Sequence, residues 1–388
     1  MKKIWPFTFS FLQFAGIASA SPFIVLYYQE LGFTGTQIGL LTGITPLVTL
    51  FSAPVWTGLA DTTGRHRLIM SLVILGEVIA LSVFPLLNAF VSVLLIAILL
   101  SIFMSPVSSF ADSAAMFMLA DEKEMYGRVR LGGTIGFGLT ASISGVLVQN
   151  YGLKSAFWGC AVLMSLGLIV SQKLVHSQLK ADGLAGSGVR TLLTNPRWLL
   201  FLLVAFAGGL SLAATNNYFF PYMKELGASE STMGLALTIG TISEIPVLFF
   251  GDRLIKRFRS YGLLMLTMVA TGIRFLLFGA SGTPSLVLSI QLLNGLTFPA
   301  MWVAGVSYAD ENAPAGMNTT AQGLFSAMVF GFGTAVGGFV GGPLLEGMGG
   351  RGLYFVFGIA VLATVAIVTL IQRRLPAEQK TSPDVAMH

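Results

Sequence analysis

Charge is what this chain has least of. Lys and Arg number 22 and Asp and Glu 17 in 388 residues, or 10% of the sequence, where a soluble domain carries about 25%. A water-facing surface of this size needs more charge than that. A soluble enzyme, a nucleic-acid-binding protein and a disordered chain are therefore excluded. The net charge of +5 does not point to nucleic acid, because the positive residues are scattered between apolar runs. Cysteine is nearly missing. Cys160 alone excludes an intramolecular disulfide and a cysteine-rich metal site. The three histidines, His66, His176 and His388, fall in loops or the tail, far apart in sequence. With no metal-ligand cluster and no nucleophile elbow, neither catalysis nor a cofactor or metal is expected.

What the chain has is apolar sequence. Hydrophobic residues make up 54%, and the mean hydropathy is +0.80. The 45 glycines and 30 phenylalanines suit packed membrane helices, where glycine lets backbones approach. A spanning helix needs about 20 mostly apolar residues. Twelve such spans are read at 6–29, 38–60, 67–87, 91–119, 128–150, 155–172, 198–222, 232–250, 261–280, 284–308, 318–345 and 353–371. The chain is thus expected to be an all-α membrane protein embedded in a lipid bilayer. The fourth span exceeds the bilayer thickness and is expected to tilt or bend near Pro106. The start resembles a secretory signal, but its apolar run continues through Pro22 to Leu26, so an uncleaved first helix is expected.

With both termini placed in the cytoplasm, eighteen Lys and Arg fall inside and three outside, with Arg274 within a span. That asymmetry follows the positive-inside rule and fits a bacterial cytoplasmic membrane. The longest polar connection, about 172–197, contains the small-residue stretch ADGLAGSG, expected to be flexible. It divides the chain into bundles at 1–172 and 198–375, with a linker at 173–197 and a tail at 376–388. The halves echo each other. Asp61 and Asp252 stand 191 positions apart, Asp121 and Asp310 189, and the GFG segments at Gly136 and Gly331 195. Two pseudo-symmetric six-helix bundles with a solute site between them are a transporter architecture.

The segment GLADTTGRHR after span 2 resembles the loop 2–3 signature of the major facilitator superfamily. Gly58, Asp61, Gly64, Arg65 and Arg67 fit it, and Thr62 departs where an Arg usually follows the Asp. Asp252 and Arg253 stand at its echo. Asp61, Arg65, Arg67, Asp252 and Arg253 are the expected gating residues. The favoured role of Asp61 is a cytoplasmic latch on the outward-facing state, the bland one a helix cap or solvated loop residue. YGRVRLGG at 126–133 is similar to the element that opens helix 5 in the lactose-permease-like, MFS_1-like branch of oligosaccharide/proton symporters. In that branch an acid on helix 4 lies eighteen positions before the second Arg, which maps here onto Asp112 and Arg130. The resemblance implies that both bind substrate. Phe137 stands where the permease has the Trp that stacks on sugar. The helix 9 arginine maps onto Arg274, and a helix 8 acid approximately onto Glu244. The His and Glu of helix 10 that serve proton coupling fall on Asn294 and Thr297, so that coupling route is not carried over.

Ionisable residues within spans are costly, about 2.5–3.5 kcal/mol each on the mildest scale. Glu77, Asp112, Glu244 and Arg274 lie clearly within spans, and Arg130 a turn inside span 5. By helix rise, Asp112 and Arg130 differ in depth by about 7 Å, within reach of an arginine. They form either a structural ion pair or a substrate-gated pair. Glu244 and Arg274 differ by about 10 Å and form a network or act separately. Desolvation raises a carboxyl pKa and a nearby Arg lowers it, so Glu244 is the first choice of proton carrier, with Asp112 and Glu77 as the other acids. Glu77 is equally a neutral buried acid. Asn216, Asn217, Gln291 and Asn294 line a solute cavity or hydrogen-bond between helices. Gln291 and Asn294 share a helix face, with Thr297 nearly aligned. Tyr27 and Tyr28 are expected in an interfacial aromatic belt. GMGGRG at 347–352 lies in a short external loop with no strand before it, so it is not a nucleotide site. The function expected is proton-coupled import of a small polar solute (sugar, nucleoside or small organic acid) by a monomer. The alternative is a proton-driven drug or metabolite efflux antiporter.

Overall fold

The computed structural model describes residues 4–119, 125–175, 192–314 and 317–374. Asp121, His176, His388, the ADGLAGSG stretch and the tail 376–388 lie outside the described residues. The described residues contain helices and turns and no strand. Ten apolar helices follow in order: α1 Ile4–Glu30, α2 Gly35–Thr63, α3 His66–Leu86, α4 Phe90–Leu119, α5 Tyr126–Tyr151, α6 Lys154–Ser171, α7 Pro196–Glu225, α8 Glu230–Phe249, α9 Ser260–Ala280 and α10 Pro284–Glu311. A last helical stretch continues to Arg374 but breaks at Gly349, with φ 69° and ψ 176°. It is therefore two membrane helices, α11 (318–348) and α12 (350–374). The GMGGRG segment holds that break and forms no loop of any length. Only glycine adopts such a positive φ without strain.

Local chemistry sets the helix ends. Thr34 and Gln37 form a capping box on α2, each satisfying a free backbone N–H of the other's turn. Asn195 caps α7, with Pro196 in its first turn, and Ser229 caps α8. Pro106 interrupts α4, whose helical segments are Phe90–Met104 and Val107–Leu119. Proline lacks the N–H that would continue the ladder.

Large apolar side chains face outward over the bundle, among them Phe51, Leu95, Ile169, Phe249 and Ile359, as a lipid-facing surface requires. Tyr27 and Tyr28 are not among them. Both are fully buried. The Tyr27 hydroxyl donates to Leu87 O at 3.3 Å, and its ring lies edge-on to Phe157 at 4.9 Å. The expected interfacial belt is replaced by an internal aromatic cluster, because the hydroxyl finds its partner inside the bundle.

The two six-helix bundles meet along α2 with α11 and α5 with α8. Small residues permit that contact. A Cβ at Gly39 would lie 2.7 Å from Phe339 O, one at Gly338 2.6 Å from Thr42 O, and one at Gly145 2.5 Å from Glu230 O. All three lie toward the end of the molecule that carries Thr34. Toward the end that carries Asp61, a Cβ at Gly58, Gly127 or Gly323 would meet nothing within 4 Å. The bundles are thus closed at the Thr34 end, and among the described residues these glycines make no such close approach at the Asp61 end.

Candidate functional site

The densest polar cluster within the spans lies in the second bundle. Arg274 of α9 is 1% exposed. Its Nη1 donates to Thr297 Oγ1 at 3.0 Å, its Nη2 donates to Gln291 Oε1, and its guanidinium sits 5.0 Å from the Phe278 ring centroid. Its Nε–H is buried with no protein acceptor. Glu244 of α8 accepts from Asn294 Nδ2 at 2.8 Å. Glu244 and Arg274 do not touch, and the polar side chains of α10 stand between them. A buried cation without a counter-ion is costly by several kcal/mol. Charge-assisted hydrogen bonds and the ring face offset part of that cost.

The alignment of Gln291, Asn294 and Thr297 has a local cause. Gln291–Leu296 winds as a 3-10 helix, in which residues three apart eclipse. An α-helix would leave Thr297 off the shared face. Ser243 of α8 takes part in the change. Its hydroxyl donates to Gly240 O of its own helix at 2.6 Å and accepts from Gly295 N at 3.0 Å, taking that N–H out of the α10 ladder as inserted side chains do. A residue larger than glycine at 295 would collide with Ser243 O.

A cavity of about 110 Å³ lies against this cluster, with room for several waters. Glu244, Arg274, Gln291 and Asn294 line it, together with Asn216 of α7 and Phe137 of α5. Asn217 is not in its wall, since one residue turns about 100° around the helix. Sequence reasoning missed the hydroxyls of Ser211, Thr215, Thr241 and Thr271. The i, i+4 spacing of 211 and 215 was a usable signal.

The structure sets Asp112 and Arg130 apart from this cavity. They face each other at 3.9 Å, each about half exposed, beside a narrow cleft with Gln13, Phe14 and Tyr126. The Arg130 guanidinium stacks 4.6 Å from the Phe14 ring. An ion pair so long and exposed contributes at most about 1 kcal/mol. Helix α5 therefore carries Arg130 to one site and Phe137, two turns on, to the other. Glu77 of α3 belongs to neither. It is buried, and its Oε2 has no hydrogen-bond partner.

At the Asp61 end, Asp61 Oδ1 lies 2.8 Å from His66 Nε2, within its own bundle. Arg67 Nε donates to Gln172 Oε1 at 3.2 Å, and Arg65 is exposed. Asp252 sits in the first turn of the short helix Gly251–Phe258. Arg253 lies 5.0 Å from the Phe250 ring centroid.

Comparison with known proteins agrees with this architecture. The family model described as "MFS_1 like family" matches residues 6–357. An uncharacterized transporter, YwbF of Bacillus subtilis, is 28% identical over 370 residues, covering 94% of this chain and 92% of that one. The maltose permease of Geobacillus stearothermophilus is 27% identical over 376 residues, covering 96% and 95%. A crystal structure of the nucleoside transporter NupG superposes with a TM-score of 0.85 at 18% identity, covering 96% of this chain and 99% of that chain. Twelve apolar helices in two bundles, buried charges around a central cavity and a family match over most of the length lead to one conclusion: the chain belongs to the MFS_1-like family and is an integral membrane transporter of the major facilitator type, not an enzyme.

Proposed function

We propose that this transporter imports a small polar organic solute together with protons, by alternating access between bundles at 1–172 and 198–375 joined by a linker at 173–197. The observation that carries the reading is the cavity holding Glu244, Arg274, Gln291 and Asn294. Its donors and acceptors suit the hydroxyl, carboxylate or amide groups of a sugar, nucleoside or small organic acid. The likeness to a maltose permease favours a polyhydroxylated solute. The lysine and arginine asymmetry supports a bacterial cytoplasmic membrane with both termini inside. The Asp61 end then faces the cytoplasm, and this conformation is inward-facing. The protein acts as a monomer.

Counterflow in proteoliposomes with labelled disaccharide, nucleoside and organic acid tests the solute class, and an imposed pH gradient tests coupling. Exchange of one class, with uphill uptake when the outside is acidic, is the expected result. Proton-driven extrusion from preloaded vesicles would establish the export reading instead.

Asp61 is the proposed cytoplasmic latch. In the inward-facing state it is held by His66 of its own bundle, so its contact with the other bundle belongs to the opposite state. Asp61→Asn is expected to slow counterflow about tenfold while solute affinity changes less than about twofold, because a latch sets conformational populations. Affinity lost at an unchanged rate would remove Asp61 from gating.

A further inference from the structure

Every helix N-terminus leaves backbone N–H groups without intrahelical acceptors. At the Thr34 end, α2 and α8 satisfy theirs in an unusual division. In α2, Thr34 Oγ1 takes the Gln37 N–H at 3.3 Å, but the Gly35 N–H donates to Glu346 Oε2 of α11 at 2.9 Å. In α8, Ser229 Oγ takes the Thr232 N–H at 3.3 Å, but the Ser231 N–H donates to Gln149 Oε1 of α5 at 3.3 Å. Each helix thus divides its free N–H groups between its own cap and a side chain of the opposite bundle.

The two contacts are the same contact, repeated. Glu346 stands 197 positions after Gln149, and Ser231 196 after Gly35. The backbone approach beneath each repeats as well. A Cβ at Gly342 would meet Gly35 O, and one at Gly145, 197 positions earlier, would meet Glu230 O. These offsets match the GFG echo of 195 positions.

From this pairing we infer that Glu346 and Gln149 are the outer gate of the transport cycle: two symmetry-related side chains, each capping a helix of the opposite bundle, hold the Thr34 end shut. The inference rests on the alternating-access reading. When the bundles part at this end, Gly35 N–H and Ser231 N–H lose their acceptors and must be rehydrated. The gate is asymmetric in charge. Glu346 brings a carboxylate to the positive end of the α2 dipole, whereas Gln149 brings a neutral amide. Glu346 therefore contributes the larger share.

The molecule contains its own control. Glu225 Oε2 accepts from Gly350 N at 2.6 Å, at the start of α12. The chemistry is that of the Glu346 contact, but both partners lie in one bundle. Loss of this contact weakens the fold without opening the gate.

The test is the distance between spin labels at Asn88→Cys and Gly282→Cys, in loops of opposite bundles at the Thr34 end, in a Cys160→Ala background. Loss of a helix cap typically costs about 1 kcal/mol, or about fivefold in a population. Glu346→Ala and Gln149→Ala should each raise the open-to-closed ratio about fivefold, Glu346→Ala the more, and both together about 25-fold. Glu346→Gln, which keeps the acceptor and loses the charge, should fall between wild type and Glu346→Ala. Glu225→Ala should leave the ratio unchanged. Two distances in the wild type with a ratio unmoved by the double variant would overturn the gate and leave alternating access standing. An equal shift in Glu225→Ala would also overturn it, and a single distance in every protein would overturn both readings.

Discussion

Replacing Arg274 by Ala is expected to lower solute uptake at least about 100-fold. The substitution strands Gln291 Oε1 and Thr297 Oγ1, which accept from the guanidinium, and leaves part-buried Glu244 without a cation across α10. Leaving a buried acceptor without its donor typically costs about 1–3 kcal/mol, so the melting temperature should fall as well. Arg274→Lys separates function from stability. It restores the charge but not the planar fork that reaches two acceptors on one face of α10. It should therefore recover much of the melting temperature and little of the uptake. Counterflow in proteoliposomes and thermal unfolding in detergent together decide the point. Wild-type uptake in Arg274→Lys would mean that the charge alone is used at this position.

Glu244→Gln is expected to uncouple transport from the proton gradient. Glutamine keeps the oxygen that accepts from Asn294 Nδ2, so the local geometry should survive and solute exchange in counterflow should stay within about twofold of wild type. Uphill accumulation driven by acid outside should vanish, because the amide cannot carry a proton. Arg274 lies across α10 from this carboxylate without touching it, and an acid whose exposure to a cation alternates takes up and releases a proton. Unchanged proton-driven accumulation in Glu244→Gln would exclude it as the carrier. Loss of solute binding would place Glu244 in the solute site and make Asp112 the better candidate.

The spans, the break in α4 at Pro106 and the two-bundle plan were legible in the sequence because each is written locally. Twenty apolar residues make a span, and a proline interrupts one. The proximity of Asp112 and Arg130 was legible from helix rise alone. What escaped depends on contacts between distant residues. The 3-10 winding of α10 goes with the capture of Gly295 N–H by Ser243 of α8, a contact that no propensity within residues 291–296 announces. The aromatic belt expected for Tyr27 and Tyr28 failed because Leu87 O, 60 positions away, takes the Tyr27 hydroxyl. The link from Gly35 to Glu346 spans 311 positions. The division of the site was also hidden. Periodicity places Arg130 and Phe137 on one helix, but only the packing of α7 to α10 decides that Phe137 faces the cavity while Arg130 faces Phe14.

The six residues Gln291–Leu296 also give α10 a mechanical property. A 3-10 helix rises about 2.0 Å per residue and turns 120°, against about 1.5 Å and 100° for an α-helix. Rewinding this stretch as α would shorten α10 by about 3 Å. It would also rotate the segment Phe298–Glu311 by roughly 120° against Pro284–Ile290. It would require the Ser243 hydroxyl to release Gly295 N, which returns that N–H to the α ladder. Such a rewinding would carry Thr297 away from Arg274 and turn the segment that ends at Glu311.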